Sequence, residues 1–246
     1  DSYDNEDLPA GENSNGYVVA GKGVVLRGCR SWHNSDDGFD FWASVDRIVV
    51  DRCYAYRNGT GITGNGMGFK LGGSTINQSH TSRAWHLLQH CVSFDNRGKG
   101  FDRNANPRGF TFYNCTGFRN QYGTNFDIGS NNEPDTIYNC VDYISTSRAF
   151  SNNSILITNS WQIKTVTSAD FESVDTAGIG AWTRNADGSL PPMPNKFLQL
   201  APTSTLIGAG TKVGLPYIRS APDVGAFEYV PSTPPVSSNG KRLRKR

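Results

Sequence analysis

The 246-residue chain holds 27 glycines and 22 asparagines, with only 36% hydrophobic and 19% charged residues. That composition lacks the Ala, Leu, Glu and Lys of a helical bundle or coiled coil, offers no run of 18 apolar residues for a membrane-spanning helix, and spreads 28 aromatics too widely for disorder. A net charge of +2 is too small to imply a nucleic-acid or membrane partner, which leaves a turn-rich β protein.

In chain order the cysteines set a register: Cys29, Cys53, Cys91, Cys115 and Cys140, spaced 24, 38, 24 and 25 residues apart. Three residues after each stands an aromatic (Trp32, Tyr56, Phe94, Phe118, Tyr143), and five after stands Asn34, Asn58, Asn96 or Asn120, with Ser145 breaking the series. A phenylalanine follows in every repeat: Phe39, Phe69, Phe101, Phe126 and Phe150. Tyr3, Asn5 and Tyr17 fit the same columns, so the chain starts inside a coil and further coils are expected upstream of Asp1.

A period near 24 residues with short β-rich segments, and without the leucine ladder of leucine-rich repeats, predicts a right-handed parallel β-helix: an all-β solenoid of three short strands per coil. Equivalent residues of successive coils then lie about 4.8 Å apart. The cysteine, aromatic and phenylalanine columns are expected to stack inward, and the Asn column to form an amide ladder at a turn. The cysteines read as small buried hydrophobes, with one or two disulfides between neighbouring coils as the alternative. The columns fade after about residue 165. Residues 190–229 read as a packed tail closing a β-helix domain over 1–229. Residues 230–246 read as a Pro/Ser linker and a solvated basic end.

The position after each column phenylalanine faces outward. It reads Asp40, Lys70, Asp102, Asp127 and Ser151, one lysine in a row of acids. The coil carrying Lys70 has six extra residues before Phe69 and eight after it, and loops on both sides of one strand build walls around it. The preceding coil places Asp36, Asp37 and Asp40 within SDDGFD, three hard oxygen donors with no His or Cys, which suits Ca²⁺. Asn15, one coil earlier, stacks on Asp37 and can add a carbonyl oxygen.

Calcium beside a lysine in a β-helix groove points to uronic-acid glycans. A cation on the C5 carboxylate acidifies the C5 proton, Lys70 removes it as the neutral amine, and the C4–O bond breaks by β-elimination. Calcium is expected to lower the lysine pKa toward working pH, while Asp40 and Asp102 raise it unless they are neutralised. Lys99, Arg103 and Arg83 are candidates for substrate carboxylates, Lys99 sharing the column of Asp37 two coils on. His33, His80, His86 and His90 show no triad or metal spacing.

The segments NSDDGFDFW (34–42), NGMGFKLGG (65–73), CVSFDNRGKGFDRNAN (91–106) and SAPDVGAFEY (220–229) resemble family 9 polysaccharide lyases, a similarity running over about residues 1–229. The resemblance implies a right-handed parallel β-helix of which this chain holds the later coils, calcium held by Asp36, Asp37 and Asp40, and Lys70 as the Brønsted base. The family's fourth calcium carboxylate falls at Asn15 here, so weaker calcium binding is expected. The expected function is a secreted, monomeric pectate lyase acting on an acidic polysaccharide, with rhamnogalacturonan or another uronic-acid glycan as alternative substrates. Two other classes share the solenoid: a polygalacturonase-like hydrolase using Asp36 and Asp37, and a non-catalytic glycan-binding β-helix.

Overall fold

The computed structural model describes residues 1–7, 9–42, 44–73, 84–129 and 133–231. Eighteen short strands form three six-stranded parallel sheets. Sheet A takes β1 (Ser2–Tyr3), β4 (Arg30–Trp32), β7 (Tyr54–Tyr56), β10 (Val92–Phe94), β13 (Thr116–Phe118) and β16 (Val141–Tyr143). Sheet B takes β2 (Tyr17–Val18), β5 (Phe39–Asp40), β8 (Phe69–Lys70), β11 (Phe101–Asp102), β14 (Thr124–Asp127) and β17 (Ser147–Ala149). Sheet C takes β3 (Val25–Arg27), β6 (Val49–Asp51), β9 (Leu87–Gln89), β12 (Thr111–Tyr113), β15 (Thr136–Tyr138) and β18 (Ile155–Ile157). Every strand pairs with the third strand before or after it, so the chain visits A, B and C once per coil: a parallel β-helix.

Two corners per coil turn on one left-handed residue each. Before the Cys column stand Gly28, Arg52, His90, Asn114, Asn139 and Thr158, and before the Asn column stand Asp4, His33, Arg57, Asp95, Arg119 and Ile144, all with φ between 49° and 62°. A single αL residue reverses the chain within one step. One of these corner residues also ties down another part of the chain: Arg57 donates to the carbonyls of Ile179 and Thr176.

The inner core is built as the columns predict. Phe39, Phe69, Phe101 and Phe126 are fully buried and stack face to face at 4.7–5.0 Å, with Tyr17 joining at 4.9 Å. Cys53, Cys91, Cys115 and Cys140 line the same core, and all five cysteines are free thiols, which removes the disulfide alternative. The amide ladder runs from Asn5 through Asn34, Asn58, Asn96 and Asn120, each Nδ2 donating to the next Oδ1 at 2.6–2.9 Å.

Two expectations are corrected. The aromatic column does not face the core. Within sheet A the middle residues such as Ala55 point in, so Trp32, Tyr56, Phe94 and Phe118 point out, where residues 171–226 bury them. Phe94 meets Phe197 at 4.8 Å, and Tyr143 meets Phe171 at 5.4 Å. Alternation demands this, because a residue three positions after an inward Cys has the opposite parity. Second, the phenylalanine column ends at Phe126. A register shift pairs Asp127 with Ala149, so Ser151 does not continue the outward row, and Trp161 of α1 (Ser160–Ile163) packs between Phe126 and Phe150. Where Ser145 breaks the Asn series, as the sequence shows, the ladder continues instead through Asn125, standing where earlier coils have Gly16, Gly38, Gly68 and Gly100. It accepts from Asn120 at 2.8 Å and donates to the buried Asp142 at 2.6 Å, ending the ladder on a carboxylate.

Candidate active site

The outer row of sheet B is in register as expected: Val18, Asp40, Lys70, Asp102 and Asp127 stand opposite one another on successive coils. Lys70 Nζ lies 2.9 Å from Asp37 Oδ2 and 3.3 Å from Asp40 Oδ2, with its side chain only 12% exposed. One coil on, Lys99 Nζ lies 3.1 Å from Asp102 Oδ1 and also pairs with Asp127. Lys99 does sit in the Asp37 column, but its charge is already met by two acids.

The loop walls explain how these groups are held. Residues 59–66 fold back on the preceding coil. Gly61 approaches Gly11 so closely that a Cβ on Gly61 would stand 2.8 Å from Gly11 Cα. Asn65 donates its amide to Asp36 Oδ1 at 2.6 Å, and Met67 donates to Asp37 Oδ1 at 2.7 Å. Arg97 clamps the loop from the next coil through the carbonyls of Gly61 and Ile62. On the far side Asn104 and Asn106 donate to Gly72 and Leu71, tying down the start of the second insertion. Arg103 turns to the carbonyl of Asn106 at 3.4 Å and makes no ion pair among the described residues. Arg83 and His80 lie outside the described residues. His86 is buried beneath Phe41, its ring nitrogen accepting from the amide of Ile48, a structural role.

The electrostatics are those of an acidic pocket with too few cations. Burial pushes Asp36 and Asp40 above the usual carboxylate range and Asp37 up to about 7. Burial alone would lower Lys70, yet Asp37, Asp40 and Asp36 outweigh it and raise its pKa. The two shifts differ in cause: desolvation raises the carboxyls against the pull of Lys70, and the carboxylates raise the ammonium against its own desolvation. This is the raising expected of unneutralised acids, with Asp37 and Asp36 acting beside Asp40 in place of Asp102.

The donor set fits calcium in chemistry, being hard, anionic and short of positive charge. Asp37 Oδ2 is buried and makes no well-directed hydrogen bond, although the Lys70 ammonium is 2.9 Å away. The oxygens are not gathered into a ligating array: among the described residues no three carboxylate, His or Cys groups stand together in that way. Asp36 turns to Asn65, and Lys70 sits between Asp37 and Asp40. Asn15 Oδ1 accepts the Asp37 amide at 2.9 Å, confirming the stacking but committing that oxygen. Asp36 and Asp37, the pair a hydrolase would use, are thus each tied to backbone amides and almost fully buried.

A family model described as "Pel9A-like, right handed beta helix region" matches residues 1–153. Pectate lyase L of Dickeya chrysanthemi is 39% identical over 217 residues, covering 85% of this chain and 48% of that protein. Pectate lyase PEL9 of Emericella nidulans is 29% identical over 223 residues, covering 78% and 52%. The crystal structure of pectate lyase Pel9A superposes with a TM-score of 0.78 at 34% identity, over 92% of this chain and 57% of that one. A rhamnogalacturonan lyase at 23% identity and a TM-score of 0.65 shares the fold, over 77% of this chain and 52% of that one. The chain spans about half the length of these relatives. With a matching family model over most of the coils, this chain belongs to the Pel9A-like right-handed parallel β-helix family.

Proposed function

We propose that this chain carries the catalytic coils of a secreted polysaccharide lyase that cleaves polygalacturonate by calcium-dependent β-elimination, with Lys70 as the base. The observation that carries this reading is the place of Lys70: an ammonium on the outer face of sheet B, beside the loop of residues 59–66, flanked by Asp37 and Asp40. The relatives named pectate lyase support the substrate class.

Lys70 Nζ takes the C5 proton of the uronosyl residue. The C5–H electrons form the C4–C5 double bond, and the C4–O bond breaks to release the leaving chain. Only the neutral amine accepts a proton, so the rate rises with pH. Asp36, Asp37 and Asp40, with Asn15 beside them, would hold the metal. Calcium, when bound there, would bind the substrate carboxylate and neutralise the charge that otherwise keeps Lys70 protonated. The wall loops fix the carboxylates through Asn65 and Met67, so the groups are positioned before substrate arrives.

The test is ultraviolet absorbance of unsaturated product on polygalacturonate, with calcium and with chelator. Product should form with calcium only and vanish in Lys70→Ala, assayed in calcium well below that variant's own melting temperature. Reducing ends released without absorbance would mean hydrolysis and overturn the reading.

A further inference from the structure

Trp42 stands apart from the other four tryptophans. Trp32, Trp85, Trp161 and Trp182 each have an aromatic or guanidinium partner: Tyr3 on Trp32, Arg108 on Trp85, Phe126 beside Trp161, Arg30 over Trp182. Trp42 has neither among the described residues, belongs to neither apolar core, and its indole N–H donates no hydrogen bond there. It is half-buried. Its backbone amide donates to Asp40 Oδ1 at 2.8 Å, and its neighbour Phe41 is locked in the core. The indole lies against Gly73, three residues after Lys70. A Cβ at Gly73 would come 1.8 Å from Trp42 Cδ1, so only glycine leaves room for the ring. A large aromatic surface thus stands two residues after Asp40 and against Gly73.

We infer that Trp42 is a stacking platform for a sugar ring, forming the glycosyl subsite next to the residue acted on at Lys70; this rests on the proposed lyase reading. A pyranose has an apolar C–H face and a polar rim. An indole meets the first with its ring and the second with its N–H, which is how tryptophan serves sites that are part apolar and part wet. The occupant is a uronosyl residue of the acidic chain, because that is the polymer the lyase reading places at Lys70, two residues from Gly72 and three from Gly73. Trp42 therefore acts on binding and chain register, while Lys70 acts on the proton.

The experiment compares wild type, Trp42→Ala and Trp42→Phe in calcium, by KM and kcat on polygalacturonate and by calorimetric Kd for a galacturonate hexamer. Both substitutions keep the backbone bond to Asp40. Trp42→Ala should raise KM and Kd about tenfold, or about 1.4 kcal/mol, with kcat within about threefold, and Trp42→Phe should recover most of the loss. Unchanged KM and Kd in Trp42→Ala overturn the platform. A fall in kcat alone, unrescued by Phe, also overturns it, because the ring would then merely position the catalytic groups. If wild type makes no unsaturated product, the lyase reading fails while the Kd series still decides the platform. If wild type binds no hexamer, both fall.

Discussion

At the scale of single residues, Lys70 and calcium compete for the same oxygens. The ammonium now neutralises Asp37 and Asp40, and any cation arriving there meets its repulsion. Lys70→Ala removes that competitor, so calcium affinity measured by calorimetry should rise about tenfold while lyase activity is lost. Weaker binding in Lys70→Ala would show that the ion sits elsewhere. Asn15 gives a second test. Its Oδ1 already accepts the Asp37 amide, and an aspartate could keep that bond while adding a charged oxygen. Asn15→Asp should tighten calcium about tenfold; an unchanged titration would place position 15 outside the ion's reach. The sequence showed which donors were present. It could not show that Lys70 would fold between them, because side-chain pairing across coils depends on rotamers that no spacing records.

At the scale of elements, each column is one repeated physical bargain, and its inner rungs matter most. Asn96 donates to Asn120, Ser93 and Ala55 while accepting from Asn58. Asn96→Ala would strand buried donors and acceptors on both neighbouring coils, so urea unfolding should show a loss of about 2–3 kcal/mol. Phe101→Ala should cost about 3–5 kcal/mol as a cavity between two stacked rings. A loss below about 1 kcal/mol in either would mean the columns are not cooperative. The period, the amide ladder and the phenylalanine stack were legible because each repeats a residue type at a fixed offset. The ends were not. Asn125 and Trp161 complete the ladder and the core from positions outside those offsets, where the last coil shortens and a helix closes it. The aromatic column was legible as a column but was assigned the wrong face, although its odd offset from the inward Cys column already set it on the opposite side of the sheet; what the spacing did not show is that residues 171–226 cover that side.

At the scale of the whole molecule, two apolar cores divide the work. One fills the coils, and the other joins sheet A to residues 171–226, leaving sheet B as the face that carries the acidic site. The stability cost of that site should be visible in its pH dependence. Asp37 is pushed up to about 7 mainly by burial. A carboxyl raised in the folded state contributes stability that is complete below the unfolded value near 4 and is lost as pH rises through about 7. Lys70 is raised as well, and its contribution stays constant until pH approaches the ordinary lysine value, so it does not move within that window. Asp37→Asn keeps an oxygen for the Met67 amide but cannot ionise. In chelator its melting temperature should match the parent near pH 4 and exceed it by about 3–6 °C at pH 8. Saturating calcium should reverse the order at pH 8, because the ion stabilises only the chain that holds it. An advantage that is flat across pH, or largest at pH 4, would show that Asp37 is already ionised and fully compensated by Lys70, and that the groove has no unmet need for a cation.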